Sequence, residues 1–171
     1  MRRSDSRWKR RAAEALLFIA LLAGNYAWQS RDMLPVSQRQ PAPHFELVDL
    51  DGNTWTTDTL RGKPAVVYFF APWCRVCSAS APQLRWFQRW TDGSVQLVLI
   101  GLDWDNSDEL DAYAQRHRLQ LPVLVGTQDT GSAYRVRGYP AYYVIDSDGR
   151  IAARDFGFTT AAGLWFRTLF R

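Results

Sequence analysis

The chain of 171 residues is poor in the side chains that most often bind metals, since it contains two cysteines and two histidines. A structural zinc site usually takes four such ligands, and His44 and His117 are far apart in the sequence. Covalent haem attachment would need a histidine directly after the second cysteine, where the chain has Ser78. Neither a metal nor haem is therefore expected as a cofactor.

The main part of the chain also lacks net positive charge. The formal charge of the whole chain is +4, but residues 1–11 hold six basic residues and one acidic residue, a surplus of five. The remaining 160 residues therefore carry a net charge of −1. A protein that binds nucleic acid through a basic surface would have its Lys and Arg in the folded domain, so we expect no nucleic-acid partner.

Long apolar runs are scarce, and the clearest one follows the basic tail. Residues 12–28 reach the short end of what spans a bilayer, and the preceding positive charge predicts that residues 1–11 stay cytoplasmic. A cleaved signal peptide is the alternative, but no small-x-small cleavage site follows the run. We therefore expect a single-pass anchor in the inner (cytoplasmic) membrane, with the C-terminal part facing the periplasm or cell exterior, where disulfides form.

The rest of the chain divides into a linker and one domain. Residues 29–43 contain three prolines among polar residues and are predicted to be a linker; residues 44–171 have a globular pattern. The apolar run at 64–70 predicts a strand buried on both faces. Further strands are predicted at 95–101, 121–125, 141–145 and 150–153, and helices at 75–90, 105–118, 130–134 and 159–170. This alternation predicts an α/β fold with a central mixed sheet flanked by helices.

The two cysteines form a Cys-x-x-Cys pair, Cys74 and Cys77, between the buried strand and a predicted helix. A helix start stabilises a thiolate through its free N–H groups and macrodipole. We therefore interpret Cys74 as the nucleophile and Cys77 as the thiol that resolves the mixed disulfide. Trp73 would shield the pair and Arg75 would add positive charge. The redox-active disulfide is then the only cofactor expected.

Two other uses of the same cysteines stay open. A static disulfide would close a loop of a few residues and would stabilise little. A Cu(I)-binding module is harder to exclude, because thiolates bind Cu(I). A peroxiredoxin-type site is not favoured, since Ala71 stands where such a site needs threonine. The acidic run at 103–111 is interpreted as a helix start favoured by the dipole rather than as a calcium loop.

The surroundings of the pair resemble the active site of the thioredoxin superfamily. The resemblance rests on Trp73 and the two cysteines after an apolar strand, on Pro82 inside the following helix, and on the sequence Gly-Tyr-Pro at 138–140. It implies a thioredoxin-like fold in which the bond before Pro140 is cis, Pro140 packs against the disulfide, and the Tyr139 backbone pairs with the substrate chain.

The N-terminal segment and the additional segments around 44–57 and 95–125 are similar to the TlpA/ResA-like branch of membrane-anchored thiol–disulfide oxidoreductases. The sequence Cys-x-Val-Cys, with Val76, is similar to its ScsD-like members. The resemblance implies protein thiols and disulfides as substrates and a membrane redox partner. Arg75 and Val76, between the cysteines, are expected to tune the redox potential.

The chain departs from its relatives at two positions. Thioredoxins have a buried Asp where this chain has Tyr68, and ResA-type reductases often have a Glu where it has Ser80. Loss of nearby negative charge favours the thiolate and makes the disulfide a stronger oxidant. We therefore expect a protein disulfide oxidoreductase that acts mainly as an oxidant of exported proteins. A periplasmic thiol reductase in cytochrome c maturation and a Cu(I)-binding, copper-tolerance module are the alternatives.

Overall fold

The computed structural model describes residues 3–169, and it divides the chain into two compact units between Asp32 and Met33. The first unit contains helix α1 (Arg3–Ser30). Among the described residues, no helix is both long enough and apolar enough to cross a membrane, so the predicted transmembrane helix at 12–28 is not confirmed. The first two residues of the predicted basic tail, 1–2, lie outside the described part.

The second unit is an α/β domain with a central mixed sheet, as predicted. Its strands are β1 (Glu46–Val48), β2 (Thr54–Thr56), β3 (Ala65–Phe70), β4 (Gln96–Gly101), β5 (Val123–Val125), β6 (Ala141–Ile145) and β7 (Ile151–Phe156). Its α-helices are α2 (Arg75–Thr91), α3 (Asp108–Arg116), α4 (Gln128–Ala133) and α5 (Ala161–Thr168), and a turn of 3-10 helix spans Thr57–Leu60. The strands of the large sheet are ordered β5-β4-β3-β6-β7, and β1 and β2 form a separate antiparallel pair.

The central strand β3 is fully buried because both faces of the sheet are covered. Tyr68 and Phe70 point to the side of α2 and α5, where they join a cluster that contains both cysteines. Val67 and Phe69 point to the opposite side, into a second cluster. Alternation of side chains between two apolar layers is what a continuous apolar strand requires.

The segment 33–43 differs from the predicted linker, because it packs on the domain. Met33 and Leu34 are buried, and the Arg154 guanidinium donates hydrogen bonds to both of their carbonyl oxygens. The Leu34 N–H donates to the Tyr143 hydroxyl at 3.2 Å. Since the partners lie more than 100 residues further along the chain, prolines and polar residues alone gave no sign of this packing.

The topology brings three loops to one edge of the sheet. β3 pairs in parallel with β4, with Phe70 opposite Gly101, so the loops that follow these strands leave at the same edge. β6 is antiparallel to β3, with Phe69 opposite Ala141, so β6 begins at that edge directly after Pro140. The Cys-x-x-Cys pair, residues 102–104 and the proline loop are therefore neighbours.

Candidate active site

The first cysteine occupies the N-cap of α2. The Cys74 backbone is extended, and its Sγ accepts a hydrogen bond from the Cys77 N–H at 3.1 Å. The structure contains the Cys74–Cys77 disulfide, with the two Cα atoms 5.2 Å apart. Cys74 is 5% exposed and Cys77 is fully buried. Cys74 is therefore the less buried of the two cysteines, and its role as the nucleophile stays a prediction.

Trp73 and Tyr139 stand together beside the disulfide, from two different loops. Their rings meet edge to face, with centroids 5.9 Å apart. The peptide bond between Tyr139 and Pro140 is cis, as the resemblance implies. Tyr139 is half-buried, Pro140 is buried, and Trp73 is 65% exposed. An exposed aromatic ring at the rim of a redox site provides a surface for a substrate chain, but the substrate-binding role of these residues stays a prediction.

Asp103 connects the two aromatic residues, and the sequence did not single it out as a site residue. Its carbonyl oxygen accepts the indole N–H of Trp73 at 2.9 Å. Its carboxylate faces Tyr139: burial first, and then the Asp103 charge, raise the pKa of the Tyr139 hydroxyl. The Asp103 backbone is left-handed, with φ 49°, a conformation that Asp tolerates better than most residues. The signal available in the sequence was its position just after the strand predicted at 95–101, since loops that follow parallel strands meet at the same edge of a sheet.

A neutral pair of hydroxyl groups lies where relatives have acids. Tyr68 is fully buried, and its hydroxyl has no hydrogen-bond partner among the described residues. Burial raises the pKa of Tyr68, and the Ser80 hydroxyl, which lies nearby but outside hydrogen-bonding geometry, opposes this effect only in part. Ser80 itself donates to the Val76 carbonyl at 2.9 Å. Both groups are therefore uncharged near neutral pH. The residues between the cysteines, Arg75 and Val76, are exposed, and their redox-tuning role stays a prediction.

Two grooves lie on either side of Asp103. One, of about 670 Å³, runs past Tyr139, Trp104 and Arg137. The other, of about 470 Å³, lies between Trp73 and Glu109. In residues 3–169 no group of three or more His, Cys, Asp or Glu is arranged to hold a metal ion. The two grooves share Asp103, and Tyr139 and Trp73 line one each, so both begin at the aromatic pair beside the disulfide.

Comparison with known proteins agrees with this geometry. The model of the AhpC/TSA family matches residues 39–154. The chain belongs to the AhpC/TSA family. The chain is similar to the thioredoxin-like protein YneN of Bacillus subtilis (strain 168), which is 24% identical over 144 residues, 79% of this chain and 84% of YneN. The thiol-disulfide oxidoreductase ResA of Bacillus cereus is 28% identical over 119 residues, 68% of each chain.

A solved structure of MTB dsbF, in mixed oxidized and reduced forms, has a TM-score of 0.67 and 25% identity; the match covers 73% of this chain and 92% of dsbF. The thioredoxin-like fold is thus confirmed, and so is the resemblance to TlpA/ResA-like proteins. With its Cys-x-x-Cys pair at a helix start, this member of the AhpC/TSA family is a thiol–disulfide oxidoreductase.

Proposed function

We propose that the protein exchanges disulfides with exported protein substrates and that its oxidised form acts as the disulfide donor. The observation that carries this proposal is the hydrogen bond from the Cys77 N–H to the Cys74 sulfur at the start of α2. When the disulfide is reduced, the same N–H and the helix dipole face a thiolate. Stabilising the thiolate stabilises the reduced form, which makes the disulfide a stronger oxidant.

The neutral interior supports the same direction. A carboxylate close to the buried thiol would oppose negative charge at Cys74 and would supply a proton acceptor for Cys77. Here the two positions where relatives have acids hold uncharged hydroxyl groups, those of Tyr68 and Ser80. The proton of Cys77 then has to pass to water, to a backbone group or to the substrate. This arrangement favours donation of the Cys74–Cys77 disulfide to a substrate over reduction of a substrate disulfide.

The reduction potential of the Cys74–Cys77 couple tests the direction. We expect equilibration with glutathione to give a value well above the about −270 mV of thioredoxin and closer to the about −120 mV of DsbA. A value at or below that of thioredoxin would instead support a reductase, such as one in cytochrome c maturation. Stoichiometric Cu(I) binding without any catalysed thiol exchange would contradict both redox functions and would support a copper-binding module.

We also propose that the domain works outside the cytoplasm, tethered by its N-terminal segment to the inner membrane, where a membrane redox partner resets the cysteines. The support is the basic run at 1–11 ahead of an apolar segment and a redox pair suited to an oxidising compartment. Protease added outside spheroplasts should cleave the domain, and alkaline washing should leave the full chain in the membrane fraction. Protection from the protease, or release by the wash, would contradict this location or this tether.

A further inference from the structure

The outer faces of α2 and α5 expose several large apolar side chains. On α2, Trp86 and Trp90 are 50% and 56% exposed, one helical turn apart, with ring centroids 6.4 Å apart. On α5, Trp165 and Phe166 are 47% and 57% exposed, and Leu169, directly after the helix, is 48% exposed. We name these five residues the aromatic face. Exposed apolar side chains that occur together mark a surface that binds a protein, a ligand or a membrane.

The helices that present these side chains lie side by side and run in the same direction. β3 and β7 are both antiparallel to β6, so α2 and α5, which follow them, return across the sheet in the same sense. The Ala161 N–H donates to the Gln83 side-chain oxygen at 3.1 Å, which aligns the two helices. At about 1.5 Å per residue, Trp165 then lies level with the stretch between Trp86 and Trp90.

Positive charge borders the aromatic face. α2 and α5 contain arginines and no acidic residue. The Arg89 guanidinium lies 5.8 Å from the centre of the Trp86 ring. Arg85, Arg89 and Arg118 line the neighbouring surface together with Asp92, the one acidic side chain among the described residues of that groove. The border therefore has an excess of positive charge beside the exposed rings.

We propose that the aromatic face docks on a membrane surface that contains anionic phospholipids. Tryptophan rings favour the headgroup level of a bilayer, and arginines beside them are attracted to anionic headgroups. A second copy of the chain is a poorer occupant, because two such faces would bring arginines against arginines. Cys74 precedes Trp86 by a length of helix of about 18 Å, so the redox pair stays accessible. The proposal holds for either direction of disulfide exchange.

Hydroxyl-radical footprinting of the full-length protein tests the docking. The protein is reconstituted in vesicles of phosphatidylcholine alone and in vesicles that also contain phosphatidylglycerol, and oxidation is measured residue by residue with mass spectrometry. We expect oxidation of Trp86, Trp90 and Trp165 to fall severalfold on the anionic vesicles, while oxidation of the exposed Trp73 stays unchanged. Raised salt should restore oxidation of the three rings, since it screens surface charge.

Arg89→Gln removes one positive charge from the border, and Arg116→Gln on α3 removes the same charge elsewhere. We expect R89Q to regain part of the oxidation of Trp86 on anionic vesicles and R116Q to behave as the unchanged protein. Equal oxidation of the aromatic face on both kinds of vesicle would overturn the proposal. Protection in detergent without lipid that grows with protein concentration would also overturn it, because a second copy would then cover the face.

Discussion

Two tyrosines on neighbouring strands have opposite hydrogen-bonding situations. Tyr68 and Tyr142 stack with ring centroids 6.1 Å apart, and both are fully buried. The Tyr142 hydroxyl donates to the Asp155 carboxylate at 2.8 Å, whereas that of Tyr68 has no partner within the described residues. A buried polar group without a partner costs about 1–3 kcal/mol, and a hydrogen bond to a charged group contributes about 1.5–3 kcal/mol.

Replacing each tyrosine by phenylalanine should therefore change stability in different ways. We expect Tyr68→Phe to leave the free energy of unfolding unchanged or to raise it by about 1 kcal/mol, because it removes an unpaired hydroxyl. Tyr142→Phe should lower it by about 2 kcal/mol. Urea denaturation of both variants measures this. A Y68F variant as destabilised as Y142F would show that the Tyr68 hydroxyl has a partner, and a slower thiol exchange in Y68F would give it a role in proton transfer.

Trp73 makes two separable contacts, which a pair of substitutions can distinguish. Trp73→Phe removes the hydrogen bond to the Asp103 carbonyl but keeps a ring against Tyr139, and Trp73→Ala removes both. If the ring binds the substrate chain, KM for a cysteine-containing peptide should rise about fivefold in W73A, a loss of roughly 1 kcal/mol, and less than twofold in W73F. The rate with dithiothreitol, which is too small to need the ring, serves as the control. An equal loss of activity with the peptide and with dithiothreitol would mean that Trp73 acts on the disulfide itself.

At the same scale, the sequence located part of the site. The Cys74–Cys77 pair can be found in the sequence because its spacing is local. The cis bond between Tyr139 and Pro140 was predicted from the resemblance. Asp103 falls in the acidic run predicted to begin a helix, yet it contacts Trp73 from a loop 30 residues away. Local pattern carries no information on such a contact; only the parallel pairing of β3 and β4 places the two loops together.

At the scale of elements, the β1–β2 hairpin depends on one carboxylate. Asp49 accepts hydrogen bonds from the backbone N–H groups of Asp51 and Asn53, from the Asn53 amide and from the Trp55 indole. Burial raises the pKa of Asp49, but these hydrogen bonds outweigh that effect and hold it below the ordinary 3.8. The ionised form therefore stabilises the folded hairpin.

The folded-state pKa of Asp49 is lowered, so its ionised carboxylate contributes fully to the free energy of unfolding above the unfolded pKa, near 3.8. This contribution is lost as the pH falls through the lower folded-state pKa. Asp49→Asn should lower the free energy of unfolding by roughly 1 kcal/mol at pH 6, and the difference from the unchanged protein should shrink as the pH drops below 4. Urea denaturation across this range measures it, with Asp51→Asn as the control at an exposed position. A difference that does not change with pH would contradict the role of the ionised carboxylate.

The predicted elements match the structure best where burial is continuous or periodic. The run at 64–70 contains β3, and the helix predicted from residue 75 is α2, although Pro82 lies inside it. Residues 54–56 are too few to define a strand by their own pattern, and their partner is the equally short β1. Short elements take their structure from pairing and not from their own sequence.

At the scale of the whole molecule, the fold class could be predicted from the alternation of strands and helices, because few sheet architectures are compatible with that order. The boundary of the domain did not. Met33 and Leu34 belong to it through Tyr143 and Arg154, which lie in β6 and β7, the last two strands along the chain. The predicted start at residue 44 left these two residues out, because the groups that hold them on the domain are distant in sequence.

The redox state of the single disulfide should change the stability of the whole molecule. In the unfolded chain the two cysteines are ordinary thiols, so only the folded state offers the helix start and the Cys77 N–H to a Cys74 thiolate. A disulfide donor must therefore have a larger free energy of unfolding when reduced than when oxidised, by about 1.4 kcal/mol for each 30 mV by which its potential exceeds that of the same cysteines in the unfolded chain. Denaturation with and without reductant measures this, and Cys74→Ser combined with Cys77→Ser should show no dependence on reductant. If the oxidised form proves the more stable one, the thiolate is not favoured and the protein is a reductant.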